Sequence, residues 1–187
     1  MRTTVPAPRD RRPAGASTVD PLRAVAAAAA RVQTWAASTD ARRRTQRALL
    51  PLRRAGWDVT HDVRLPGVDL IDHLAAGPSG VYVLASKAWD GVVTVDHKGA
   101  TITPRRGPGA AWTARGPHRL LPPAASAVVR VLSTAAGRPV PPPQAVVVVW
   151  AVFPERVTVC SGIVYVAGEH LVDWLAGRAV TLRPVEG

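Results

Sequence analysis

The sequence predicts an α/β or α+β domain, a mixed central β-sheet flanked by helices, and three features predict it. Apolar residues recur at helical spacing between positions 22 and 52 and again between 122 and 136. They alternate with period two from Trp57 to Arg64, as in a half-buried strand. An uninterrupted run rich in valine, Ala145 to Phe153, reads as a strand buried on both faces. At 187 residues the chain has room for one such core, and no repeat of 20 to 50 residues divides it.

Residues 1–20 are rich in Pro, Arg, Ser and Thr without an apolar period, and read as a disordered basic tail that cannot offset the entropy of ordering its backbone. Asp20 as N-cap and Pro21 at the first helical position then open a lead-in helix over 21–37, with Leu22, Val25, Ala29, Val32 and Trp35 along a thin apolar face. Ser38-Thr39-Asp40 reads as a turn. Asp40 becomes the N-cap of a second helix carrying Arg42, Arg43, Arg44 and Arg47 beside Ala48, Leu49 and Leu52, which Pro51 kinks or ends and Gly56 closes. The folded domain is placed over 38–187.

Trp57, Val59, His61 and Val63 fall on one face of the first strand and Asp58, Thr60, Asp62 and Arg64 on the other, up to the Pro66-Gly67 turn. The segments 69–76 and 81–87, joined by Gly77-Pro-Ser-Gly80, read as an antiparallel hairpin. Short strands at 92–95 and 100–103 flank Lys98-Gly99, and 104–118 reads as a loop. A helix over 122–136 presents Val128, Val131, Leu132 and Ala135 and stops at Gly137. After the valine-rich strand come strands at 157–160 and 163–166, then a closing helix with Leu171, Trp174 and Leu175 that Gly177 ends.

Charge is unevenly distributed. Residues 1–54 hold twelve arginines against Asp10, Asp20 and Asp40, a net +9 out of +11 for the chain. Arginine outnumbers lysine twenty-two to two, so the excess is either a nucleic-acid footprint or a compositional bias. The single cysteine, Cys160, forbids an intramolecular disulfide and a multi-thiolate zinc site, and its apolar strand marks it as core. The longest apolar run has about half the length of a membrane span, and the N-terminus has no apolar signal region, so a cytoplasmic protein without a membrane partner is expected. Phosphate-loop, zinc-protease and nucleophile-elbow motifs are absent.

The stretch from Ala55 through Trp57-Asp-Val-Thr-His-Asp-Val-Arg-Leu-Pro-Gly67, followed by Ile71-Asp-His-Leu-Ala-Ala-Gly-Pro-Ser-Gly-Val-Tyr-Val-Leu-Ala-Ser-Lys-Ala-Trp-Asp-Gly91, resembles the nuclease-related domain, NERD, grouped with the PD-(D/E)xK nucleases. The resemblance spans roughly 40–180 and implies a restriction-endonuclease-like core. It further implies Mg²⁺ held by carboxylates on adjacent strands, with a lysine nearby to orient water or stabilise developing charge. A hairpin centred between Pro78 and Ser79 sets Asp72 opposite position 85, with Lys87 two residues on along the same face. Asp72 and Lys87 are thus the implied catalytic pair, and Asp72 the implied metal ligand.

Two acids of the family pattern are missing. Ala85 stands where Asp or Glu precedes x-Lys, and Arg42 stands where the first helix offers Glu. Asp69, Asp62, Asp90 and Asp40 are the candidate replacements, each also readable as a solvated turn, strand or cap residue. The resemblance with these losses implies a degenerate member that binds DNA with weak or no cleavage and binds Mg²⁺ weakly if at all. The alternatives are an active Mg²⁺-dependent DNA nuclease with a relocated acid, and a scaffold whose charge is compositional. Arg42, Arg43, Arg44 and Arg47, with Arg105, Arg106 and Arg115 around Trp112, are the candidate nucleic-acid contacts. His61 and His73 read as structural, and an Asp72–Lys87 ion pair is the plain alternative to a metal role.

Overall fold

The computed structural model describes residues 21–105 and 110–179, with side chains from residue 37 onward. The chain divides between Gln33 and Thr34 into two units. Expectations for residues 1–20, for Arg106 and for the side chains of the lead-in helix lie outside the described residues.

One helix, α1, spans Pro21–Arg54. The turn expected at Ser38–Asp40 and the N-cap role of Asp40 are therefore wrong. Asp40 sits within the helix and pairs with Arg44 at 2.8 Å, one turn on, and this i,i+4 contact supports helix where an isolated Ser-Thr-Asp suggests a break. Pro51 does not end α1 either, which runs three residues further before Gly56, with φ of 78°, reverses the chain.

The strands are β1 (Asp58–Val63), β2 (Ile71–Gly77), β3 (Gly80–Lys87), β4 (Val92–Asp96), β5 (Gly99–Thr103), β6 (Trp112–Ala114), β7 (Gln144–Val149), β8 (Val157–Cys160) and β9 (Ile163–Ala167). Six form one mixed sheet in the order β1-β2-β3-β7-β9-β8, in which β3, β7 and β9 run parallel and the remaining pairs antiparallel. The other three make a small antiparallel sheet, β4-β5-β6. Strand β6 falls where sequence suggested only loop. With three residues between Pro/Gly-rich flanks it is too short to show a period.

Alternation along the strands builds two cores. On one face Ala75, Tyr82, Leu84, Val146, Val148, Val164 and Val166 pack with Leu49 and Leu52 of α1 and with Leu171 and Leu175 of α3 (Leu171–Ala176). On the other, Val83, Val147, Val149 and Tyr165 pack with α2 (Gly116–Ala136) and with Val93, Ala100 and Ile102 of the small sheet. Helix α2 begins six residues before the sequence suggested, since Pro122 and Pro123 lie inside its early turns and do not start it. Its buried face is Leu121, Ala124, Ala127 and Val128, whereas Val131 is exposed. The valine strand is buried along its length because it has a strand on each side and a layer on each face.

Gly77 ends β2 directly beneath the Trp57 indole, and a β-carbon there would overlap the ring. Gly77→Ala is expected to cost about 1–3 kcal/mol, as overpacking usually does, read as a lower urea midpoint with unchanged slope. Combining it with Trp57→Leu should recover part of the loss.

Candidate functional site

The site is assembled by the β2–β3 hairpin. Gly77 pairs with Gly80 and His73 with Leu84, so Asp72 and Ala85 are the next positions facing one another, with Lys87 at the end of β3. This is the register that the Gly-Pro-Ser-Gly turn implied, and Gly80 at φ of 131° provides the conformation that fixes it. Oδ2 of Asp72 accepts the Ser86 backbone N–H at 2.8 Å.

On the other side of β2, His61 pairs with His73 and Val63 with Ile71, and Asp62, at φ of 52°, lies between these two pairs. Arg42 of α1 bridges the two carboxylates. Its Nε lies 3.8 Å from Asp72 Oδ1 and its Nη1 3.6 Å from Asp62 Oδ1. Asp62 is 68 % exposed, while Asp72 is largely covered. Lys87 is not Asp72's contact ion; it acts on that carboxylate through its field. The simple Asp72–Lys87 ion pair is thus replaced by one with Arg42.

Burial pushes the Asp72 carboxyl above its usual range, and the Ser86 N–H, Lys87 and Arg42 only partly counter this. Arg42 Nε is itself buried without a hydrogen-bond partner. The guanidinium supplies charge to Asp72 more than directed hydrogen bonds.

Beside this cluster runs a chain of buried hydrogen bonds. Trp150 Nε1 donates to Thr45 Oγ1 at 2.8 Å, and Thr45 donates to the Ala41 carbonyl at 3.1 Å. Ser86 Oγ donates to Thr45 Oγ1 at 2.8 Å, so its contact of 3.1 Å with His73 Nε2 requires the ring to be the donor. His73 Nδ1 is then the acceptor in the 2.8 Å contact with His61 Nδ1, and His61 carries that hydrogen. Burial, with His61 and Arg42 adding to it, lowers His73 to about 3. The two histidines are thus parts of one shared hydrogen-bond network. Thr45 and Ser86 escaped sequence reading, although 45, 49 and 52 share a helix face and Ser86 follows Tyr82 and Leu84 on the buried side of β3.

Asp69, Asp72 and Lys87 line one small hollow of about 80 Å³, closed by Leu121 and Ala124 of α2. Asp40 is elsewhere, held by Arg44. Arg43 and Arg47 are exposed on α1, with Arg47 Nε donating to the Arg43 carbonyl at 3.4 Å. Arg44 and Arg105 meet at one open depression, while Arg115 is exposed just before α2.

The model of the family described as nuclease-related domain, NERD, matches residues 37–149, more than half of the chain. The chain belongs to the NERD family. Its place among the PD-(D/E)xK nucleases agrees with the mixed sheet and flanking helices. No curated protein and no solved structure matches the chain.

NERD and related nuclease domains commonly use divalent metals, so the fit of these residues to one can be tested on the donor set. It does not fit. The Ala85 methyl offers no donor, the helix position presents a guanidinium, and one Asp72 oxygen is engaged by Ser86. Among the described residues no group of three His, Cys, Asp or Glu side chains could hold a metal.

Because His73 is depressed from 6.5 to about 3, it contributes stability that is present above pH 6.5 and lost as pH falls toward 3, at up to about 1.4 kcal/mol per pH unit. Asp72, raised, has the opposite sign, since its protonation relieves the fold as pH falls. Urea midpoints measured from pH 7 to pH 4 should fall for the native chain, fall less for His73→Gln and fall more steeply for Asp72→Asn.

Proposed function

We propose that this NERD domain is a degenerate member that binds DNA with weak or no phosphodiester cleavage. The observation that carries the reading is Arg42, a fixed cation lying between Asp62 and Asp72 at the helix position where the family pattern has an acid. A guanidinium there neutralises the carboxylates without presenting an exchangeable coordination site to water or phosphate. Arg43, Arg44, Arg47, Arg105 and Arg115 are exposed and form the proposed DNA contacts, with Arg106 added on sequence grounds. Arg42 is assigned to internal neutralisation instead.

A second reading, an active Mg²⁺-dependent nuclease, is favoured by one observation, the presence of Asp69 in the same hollow as Asp72 and Lys87. No helix among the described residues is long and apolar enough to cross a membrane. The cytoplasm is the proposed compartment, on the chemistry of a single buried thiol.

Incubation of supercoiled and linear DNA with Mg²⁺ or Mn²⁺ is expected to give no nicking above background. Retardation assays should show binding that weakens with salt at a slope no steeper than about −5.4, for about six phosphates engaged. Metal-dependent nicking abolished by Asp72→Asn would establish the second reading, and absence of both binding and cleavage would leave a scaffold. The double variant Arg42→Glu, Ala85→Asp rebuilds the acid set beside Asp72 and should gain Mn²⁺ binding in calorimetry that the native chain lacks.

A further inference from the structure

The parallel strands β3, β7 and β9 end together, at Lys87, Val149 and Ala167, and the chain beyond each of them lines one open depression of about 290 Å³. Crevices outside the carboxyl ends of parallel strands are where α/β sheets hold ligands, because the strands diverge there and the emerging loops supply side chains. Here the loops supply Trp89 and Asp90 after β3, Trp150 after β7 and Glu169 after β9, while Arg44 enters from α1 and Arg105 from beyond β5.

The Trp150 ring is fixed in place. Its Nε1 donates to Thr45, its backbone N–H donates to the Lys87 carbonyl at 2.7 Å, and its ring lies against Gly168, where a β-carbon would overlap it. The Arg44 guanidinium sits over the same ring, 6.0 Å from its centroid. Rigid indole and stacked guanidinium are the surfaces on which nucleobases stack, and a ring already held costs little to order on binding.

Charge narrows the ligand. Arg44 and Arg105 suit phosphodiester oxygens, but exposed Asp90 and Glu169 on the same walls repel a compact polyphosphate. Those carboxylates can only accept hydrogen bonds, and the N–H edge of an unpaired base is one donor that suits them. The volume, about 290 Å³, lies at the lower end of small-ligand pockets and has room for a planar base. Within a duplex the base faces are not available.

We infer that this depression is a stacking slot for an unpaired base of single-stranded DNA, with Trp89 and the Arg44 guanidinium held over Trp150 receiving the base and Arg105 a flanking phosphate. The inference rests on the DNA-binding reading and specifies which form of DNA is held. It requires neither cleavage nor metal.

The test is fluorescence anisotropy of the full chain with an end-labelled deoxyoligonucleotide of 20 nucleotides, as a single strand and as the blunt duplex of the same sequence. The single strand is expected to bind at least about tenfold tighter, and Trp89→Ala to weaken it by roughly 5- to 100-fold while duplex affinity stays within about twofold. Trp89→Phe, which keeps a stacking face, should retain most of the affinity, which separates loss of stacking from loss of fold. Arg105→Ala, at an exposed position, should lower the single-strand salt slope by about 0.7. Equal affinity for the two forms, or equal losses for both in Trp89→Ala, would overturn the slot and leave DNA binding intact. No binding of either form at low salt would overturn both.

Discussion

The buried hydroxyl of Thr45 is the junction on which the rest depends. It accepts hydrogen bonds from Ser86 of β3 and from Trp150 just beyond β7, and donates to the Ala41 carbonyl within α1. One oxygen thereby locks the register of the helix against two parallel strands. Ser86 in turn donates its backbone N–H to Asp72 and accepts from the His73 ring at its hydroxyl oxygen, so the carboxylate and the histidine pair inherit their positions from the same point. Ser86 and Thr45 are both 0 % exposed, and a network at that depth is stabilising only while every member is satisfied.

Arg42 lies three residues before Thr45, and its position follows from that anchoring. An acidic side chain at this point of α1 would add negative charge to Asp62 and Asp72; the arginine inverts the sign. The fold can thus keep its hairpin, its lysine and its buried aspartate while the local field changes from one that attracts a cation to one already supplied with it. Alanine at position 85 is consistent with this, because a carboxylate there would leave the cluster under-neutralised.

The hairpin was readable before any coordinates because a four-residue Gly-Pro-Ser-Gly turn fixes a single register, and register fixes which residues face one another. The valine run was readable over 145–149 because a strand covered on both faces is apolar at every position, whereas residues 150–153, read as its continuation, lie beyond β7. Helix α1 was misread at Ser38–Asp40, where local turn chemistry argues for a break and the Asp40–Arg44 pair argues for continuation. The start of α2 was obscured by two prolines that ordinarily mark helix entry. Arg42 was legible as a missing acid, but its contact with two aspartates on adjacent strands joins positions twenty and thirty residues apart, and no local pattern encodes that. The Trp89–Trp150 depression was hidden for the same reason, since its parts come from the ends of three strands and a helix.

The central place of β7 has a consequence for how the chain reaches its native state. Its neighbours are β3, completed nearly sixty residues earlier, and β9, which is synthesised after it, so the strand emerges with one edge awaiting a distant partner and the other a partner not yet made. During that interval Ala145–Val149 is a short, uncharged segment of high β-propensity, the kind that pairs readily with copies of itself. The three prolines at 141–143 stand directly before it. Lacking backbone N–H groups, they limit how far an intermolecular ladder could extend along the chain, and so act as gatekeepers for this central strand of the sheet.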